Sequence, residues 1–322
     1  MRQTACGGNA VGIQGLRHDH GARQGESMIL SRTAMALWVM GAFALTALPA
    51  DPMPSTRVRD VIYGRADGTS LTFDVFKPAR PKGVGVVYVV SGGWYSSPEF
   101  IGLKVVQPLL DHGYTVFAVV HGSNPRYRIP EIVPQMERAV RYIRHHAADY
   151  AIDPARLGVS GGSAGGHLSL MLLTRGGPGK ADAKDPVDRE SSAVQAAACF
   201  FPPTDFLNYG KPGETALGEG ILKDFKSAFG EVPQEPEAKR RFGESISPAH
   251  HVRTGIGPVF LLVGDQDRLV PMQQSELFLE RVKAVGGIGG IEIRPGQAHG
   301  WKDWENDVER FAVWFDKHLT PK

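Results

Sequence analysis

The chain has 322 residues, with 36 Lys plus Arg against 34 Asp plus Glu and a formal net charge of +2, so no strong field of one sign favours nucleic acid or an anionic membrane surface. Only two cysteines are present, Cys6 and Cys199, and Cys199 lies in the apolar run Ala196–Phe201, so a buried free thiol is expected rather than an internal disulfide. A core held by packing alone is the consequence, and about 270 residues after the N-terminal region suit one catalytic domain.

Residues 1–27 are rich in Gly, Gln and His without apolar periodicity and read as an unfolded or non-native leader, with translation expected to begin at Met28. His18 and His20 have no cysteine partners or folded frame to make them a metal site. Met28–Arg32 is a short basic start, and the apolar run from Ala34 to Leu48 ends in Ala47-Leu-Pro-Ala50, so residues 28–50 resemble a secretory signal peptide cleaved near Asp51. The run is shorter than the roughly 20 residues a spanning helix needs, which disfavours stable membrane insertion after cleavage; a single N-terminal anchor is the alternative. The expectation is an exported protein, periplasmic or extracellular, with its folded domain in residues 51–322.

Val58–Tyr63 and Leu71–Phe76 flank Ala66-Asp-Gly-Thr and predict a hairpin at a sheet edge. Next comes the apolar strand Val84–Val90, which runs into Ser91-Gly-Gly-Trp-Tyr95. Tyr114–Val120 predicts another strand, followed by His121-Gly-Ser123, with His121 expected in a loop near a pocket rim. Ile129–Arg144 is helical in pattern, and Leu157–Gly162 is a short strand.

That strand enters Gly161-x-Ser163-x-Gly165 and passes directly into the helical stripe Ala164–Thr174, the layout of a nucleophile elbow. A serine hydroxyl is a poor nucleophile unless lifted towards a base and backbone N–H donors, and the flanking glycines leave room for the sharp turn. The bland alternative is a structural turn whose serine caps the helix, with His167 a surface or core residue. Residues 175–192 are expected as a surface loop; Gly176-Gly-Pro-Gly179 lacks the Lys-Ser/Thr of a phosphate loop.

From Thr204 to Ser247 the alternation of strands and helices breaks, and a cap-like insertion is expected there. Phe206, Leu207, Tyr209, Phe225 and Phe229 could line a substrate pocket, as could Trp94 and Tyr95 after the earlier strand, or they could pack the insert onto the core. Pro258–Val263 reads as a buried strand ending at Gly264-Asp-Gln-Asp267, which puts carboxylates at the strand's C-terminal edge, where open α/β sheets carry their sites. Ile291–Arg294 is one more strand, and the following loop presents His299 before a final helix.

Serine, acid and histidine thus arrive in the order an elbow enzyme uses, with Asp267 preferred over Asp265 as partner of His299. Asp265 is expected to cap its own turn, and Asp303, Glu305 and Asp307 to place negative charge in the first turn of the last helix. The adjacent pairs His145–His146 and His250–His251 point different ways and make poor metal sites. The alternation as a whole predicts an α/β protein: a mostly parallel sheet with helices on both faces.

From about residue 57 onward the chain resembles α/β-hydrolases of the esterase/lipase group that includes the hormone-sensitive-lipase-like enzymes and the bacterial feruloyl and acetyl xylan esterases. The likeness is carried by residues 129–144, 150–159 and Gly162-Ser-Ala-Gly-Gly-His-Leu168. It implies an eight-stranded sheet with a small cap, Ser163 as nucleophile, Asp267 as acid and His299 as base, no metal or organic cofactor, and a small-molecule or polysaccharide ester as substrate, with acetyl and feruloyl esters of plant polysaccharide as the candidates. The group usually carries His-Gly-Gly where this chain has Ser91-Gly-Gly93, so the loop keeps its glycines but lacks its usual anchoring ring. Gly92, Gly93 and Ala164 are the expected oxyanion-hole donors. A prolyl-oligopeptidase-type peptidase and a non-catalytic binding protein of the same fold remain the competing readings, and oligomeric state is open.

Overall fold

The computed structural model describes residues 56–320. The expected leader, signal segment and cleavage point lie outside the described residues. Among the described residues no helix is long and apolar enough to cross a membrane.

Eight strands form one sheet: β1 (Thr56–Ala66), β2 (Thr69–Lys77), β3 (Gly85–Val90), β4 (Thr115–Val120), β5 (Leu157–Gly162), β6 (Ala196–Phe200), β7 (Val259–Gly264) and β8 (Gly289–Arg294), in the spatial order β1-β2-β4-β3-β5-β6-β7-β8. The hairpin β1–β2 is antiparallel and joins β4 antiparallel, while every pairing from β4 through β8 is parallel. Parallel pairing puts the C-terminal ends of β3 to β8 on one edge, so the loops after them converge there.

The longer helices are α1 (Leu103–Asp111), α2 (Ile129–His145), α3 (Ala164–Arg175), α5 (Pro236–Ile246), α6 (Gln273–Ala284) and α7 (Val308–Leu319), with a single turn, α4 (Lys226–Phe229), inside the insert. Side chains alternate across a strand, and the buried set divides accordingly. From β4, Phe117 and Val119 join α2, α3 and α6 in one core, while Val116, Ala118 and Val120 join α1 and α7 in the other. Helix α2 buries Ile129, Ile132, Val133, Met136, Ala139, Val140 and Ile143, the i, i+3, i+4 stripe of a helix lying on a sheet. All of α3 from Ala164 to Thr174 is buried, because it sits between the sheet and its neighbours.

Strand β8 begins two residues before the apolar run Ile291–Arg294, at Gly289 and Gly290, which supply no strand signal; a Cβ on Gly289 would come 2.7 Å from the Leu279 side chain, so α6 packs there on bare backbone. The loop 175–192 is more than a surface excursion. It contains a short 3-10 turn, Pro186–Arg189, and Asp185 and Asp188 each pair with Arg138 of α2 at 2.7 Å. Between β6 and β7 the insert packs Phe206, Tyr209 and Phe229, all essentially unexposed, into the core beside α3.

Candidate active site

Ser163 stands between β5 and α3 with φ 53° and ψ −120°, a conformation costly for a residue with a side chain. Its own N–H bonds the Phe200 carbonyl at 3.0 Å, and its carbonyl accepts from His167 N–H at 2.9 Å, so the turn is held from both sides. The two glycines of the motif are required by space. A Cβ on Gly161 would lie 2.6 Å from the Gly165 backbone, and one on Gly165 would lie 2.6 Å from the Val89 carbonyl oxygen of β3.

The loops after β7 and β8 bring the other two residues to the serine. His299 Nε2 lies 2.9 Å from Ser163 Oγ, and His299 Nδ1 lies 2.7 Å from Asp267 Oδ2. An ionised carboxylate only accepts, so Nδ1 carries the proton and Nε2 offers its lone pair to the serine hydroxyl. The Asp267 side chain is fully buried, and its Oδ1 accepts from Leu269 N–H and Val270 N–H at 2.9 Å each. These donors fix the carboxylate before the imidazole meets it. Asp265 instead accepts from Gly296 N–H at 2.7 Å, tying the histidine loop to the end of β7 rather than capping its own turn.

The histidine loop has a second anchor. Asp307 pairs with Arg294 before the loop and accepts from Trp301 Nε1–H at 2.8 Å after it, so its role goes beyond charging a helix start. The His299 ring packs on Phe201, with centroids 4.5 Å apart.

After β3 the chain makes a tight turn. Gly92 and Tyr95 exchange both N–H···O bonds at 2.9 Å, and the central residues Gly93 and Trp94 have φ of 55° and 59°, the signature of a type I′ turn. The Gly92 N–H is therefore occupied by the Tyr95 carbonyl, which removes Gly92 from the expected donor set. Among the described residues no acceptor bonds the N–H of Gly93 or Trp94, and Ala164 N–H heads α3, where the helix offers it no carbonyl. Asn124, which carried no signal in the sequence, holds the turn through its Nδ2 to the Gly93 carbonyl at 2.9 Å and its N–H to the Trp94 carbonyl at 3.3 Å.

Trp94 and Phe206 do not line an open pocket. They are 2% and 0% exposed, and their rings pack with His167, Phe225 and Phe229, so the insert is fastened to the core through them. Phe225 covers Gly93, close enough that a Cβ there would meet its ring at 2.6 Å. Tyr95 is 48% exposed and packs on the exposed Phe100, leaving two aromatic rings at the surface beside the turn. His121 is buried rather than at a rim: it bonds Ser91 Oγ at 2.8 Å and the Gly122 carbonyl at 2.7 Å. His145 faces Glu190 and His146 faces Asp149.

Comparison with known proteins bears on the fold and the family. The chain is 28% identical over 270 residues to the probable carboxylic ester hydrolase LipM of Mycobacterium tuberculosis, an alignment covering 79% of this chain and 60% of the relative. It thus spans about three fifths of the length of such curated relatives. Among solved structures it superposes on a truncated carbohydrate esterase from gut microbiota with a TM-score of 0.71 at 23% identity, covering 85% of this chain and 99% of that one. The acetyl ester-xyloside bifunctional hydrolase of Caldicellulosiruptor lactoaceticus gives a TM-score of 0.68 at 23% identity, covering 80% and 95%. Both likenesses establish the α/β-hydrolase fold. Residues 73–282, more than half of the chain, match the BD-FAE family, and the chain, with its elbow between β5 and α3 at the converging edge of the sheet, belongs to that family.

Proposed function

We propose that the protein is a serine carboxylic ester hydrolase working through an acyl-enzyme. The observation that carries this reading is the unbroken chain of hydrogen bonds from Ser163 Oγ through His299 to the buried Asp267. In the reaction, Ser163 Oγ attacks the ester carbonyl carbon while His299 Nε2 takes its proton. The carbonyl oxygen becomes an oxyanion that accepts from the free N–H groups of Gly93, Trp94 and Ala164. Collapse breaks the bond to the alkoxide, which leaves as an alcohol with the proton from His299. Water then attacks the acyl group with His299 again as base, and the acid and free serine result.

For substrate we favour an acyl ester carried on carbohydrate, acetyl or feruloyl. The gut-microbiota and Caldicellulosiruptor neighbours, described as a carbohydrate esterase and an acetyl ester-xyloside hydrolase, support that class. Tyr95 and Phe100 support it as well, since exposed rings beside the oxyanion turn offer apolar faces to a sugar or phenolic ring. The pattern of residues 28–50 supports export, with a mature N-terminus near Asp51.

Labelling with a fluorophosphonate probe tests the central claim. Covalent modification of Ser163 together with hydrolysis of p-nitrophenyl acetate is expected; a folded protein that neither labels nor turns over would be a binding protein instead. Release of acetate or ferulate from acetylated xylan and feruloylated oligosaccharides separates the two acyl classes, and mass spectrometry of the secreted protein reads its N-terminus.

A further inference from the structure

The turn that supplies two of the three oxyanion donors is strained. Gly93 tolerates positive φ, but Trp94 at 59° is a bulky residue in a region that side chains rarely adopt, and such a conformation lasts only where its surroundings over-determine it. From this we infer that His121 and His167 are positioning residues that grip the oxyanion turn at two points, His121 through the hydroxyl of Ser91 just before it and His167 through the indole of its central Trp94. The inference rests on the reading of Gly93 and Trp94 N–H as oxyanion donors.

The geometry at the two points is parallel. His121 Nδ1 lies 2.7 Å from the Gly122 carbonyl, which can only accept, so Nδ1 carries the proton and Nε2 accepts from Ser91 O–H at 2.8 Å. His167 Nε2 lies 2.7 Å from the Ile246 carbonyl, so the proton is there, and Nδ1 accepts from Trp94 Nε1–H at 3.1 Å. Each ring therefore has one tautomer and one task. Burial lowers both histidines to about 4, which keeps them neutral and keeps the accepting nitrogen free at ordinary pH.

Their places in the fold explain why the grip matters for catalysis. His167 lies one turn along α3 from Ser163, and its N–H bonds the Ser163 carbonyl at 2.9 Å. The helix that carries the nucleophile and Ala164 N–H thus also sets the position of Trp94, so both sides of the oxyanion hole share one rigid element. The same ring reaches the insert through Ile246, coupling α5 to the hole. His121 follows β4, whose Val120 is in register with Val90 of β3, so its ring reaches sideways to Ser91. Ser91 has a short side chain, and the imidazole from the adjacent strand supplies the missing span. Gln135 Oε1 accepts from Gly122 N–H at 2.8 Å and steadies the backbone that orients His121.

The test uses the full-length protein with Ser91→Ala, Trp94→Phe and His167→Gln, which cut the two grips while preserving most of the buried volume. Removing an oxyanion donor outright costs on the order of 10² to 10³ in turnover, so a displaced donor should cost roughly 10- to 100-fold in kcat, with KM for p-nitrophenyl acetate within about 3-fold. Because the loss is in transition-state binding, Ki for a trifluoromethyl ketone, which forms a tetrahedral adduct with the serine, should rise by the same factor. Trp94→Phe combined with His167→Gln should cost no more than the worse single change, since both cut one bond. Folded Ser91→Ala and Trp94→Phe proteins with wild-type kcat and Ki would overturn the inference, and so would a lowered Tm with Ki unchanged. Failure of the underlying reading is separate: it would show as kcat kept in Gly93→Ala and lost in Gly92→Ala, or as turnover retained in Ser163→Ala.

Discussion

Asp265 and Asp267 stand two residues apart after β7, yet one carboxylate meets the ring of His299 and the other meets the backbone of the loop that carries it. Asp267 Oδ2 is 2.7 Å from His299 Nδ1, while Asp265 Oδ1 accepts from Gly296 N–H. Asn at position 267 would present either an amide that cannot accept from Nδ1–H or a neutral oxygen that stabilises the imidazolium poorly. Asp267→Asn should therefore lower kcat by about 10³- to 10⁴-fold. Asp265→Asn keeps an acceptor for Gly296 N–H and should lose less than about 10-fold. Steady-state kinetics on both variants checks this, and equal losses would remove Asp267 from its role.

Ser163 at positive φ implies a conflict between stability and activity. Ser163→Gly relieves backbone strain on the order of 1–3 kcal/mol and should raise Tm by a few degrees while abolishing hydrolysis. Ser163→Ala should abolish hydrolysis with Tm nearly unchanged. A calorimetric scan that finds no stabilisation in the glycine variant would mean that the elbow is not strained.

The turn after β3 separates its two glycines. A Cβ on Gly92 meets nothing within 4 Å and its N–H is already committed to Tyr95, so Gly92→Ala should keep turnover within a few-fold. Gly93 has φ 55° and lies under Phe225, so Gly93→Ala must distort the turn and should cost at least 10²-fold in kcat. The opposite ranking would reassign the oxyanion donors.

Acid should weaken the fold through His121 and His167. Both are lowered to about 4 by burial, whereas an unfolded histidine titrates near its ordinary 6.5. Between those values the unfolded chain takes up protons that the folded chain refuses, so stability is fully present above about 6.5 and falls as pH drops towards 4. His112, raised by its bonds to Asp316 and Glu309 against the opposing effect of burial, runs the other way, losing stability as pH rises through its folded value. Because His112 is partly exposed, the buried pair should dominate. Urea melts across pH 4 to 7 should show the slope, and His121→Gln should flatten it; an unchanged slope would mean that His121 is not titrating on unfolding.

Much of the plan was legible in the chain alone. Hydrophobic alternation located the strands and helices, and the elbow motif announced Ser163 because only small residues fit where Gly161 and Gly165 press on neighbouring backbone. The order of serine, acid and histidine is linear information, and so are the long apolar stretches ending at loops. What pattern could not reach was the partner of each polar group. Asn124, His121 and His167 reach partners from 30 to 103 positions away, distances along the chain that no local periodicity encodes.

Only the tertiary structure decided that Gly92 spends its N–H on Tyr95, that Trp94 and Phe206 face inward, and that Asp265 serves a loop while Asp267 serves the imidazole. The physical reason is that residue type states what a group can donate, accept or bury, while the pairing of those capacities is set by which strand ends and loops the folded sheet brings together.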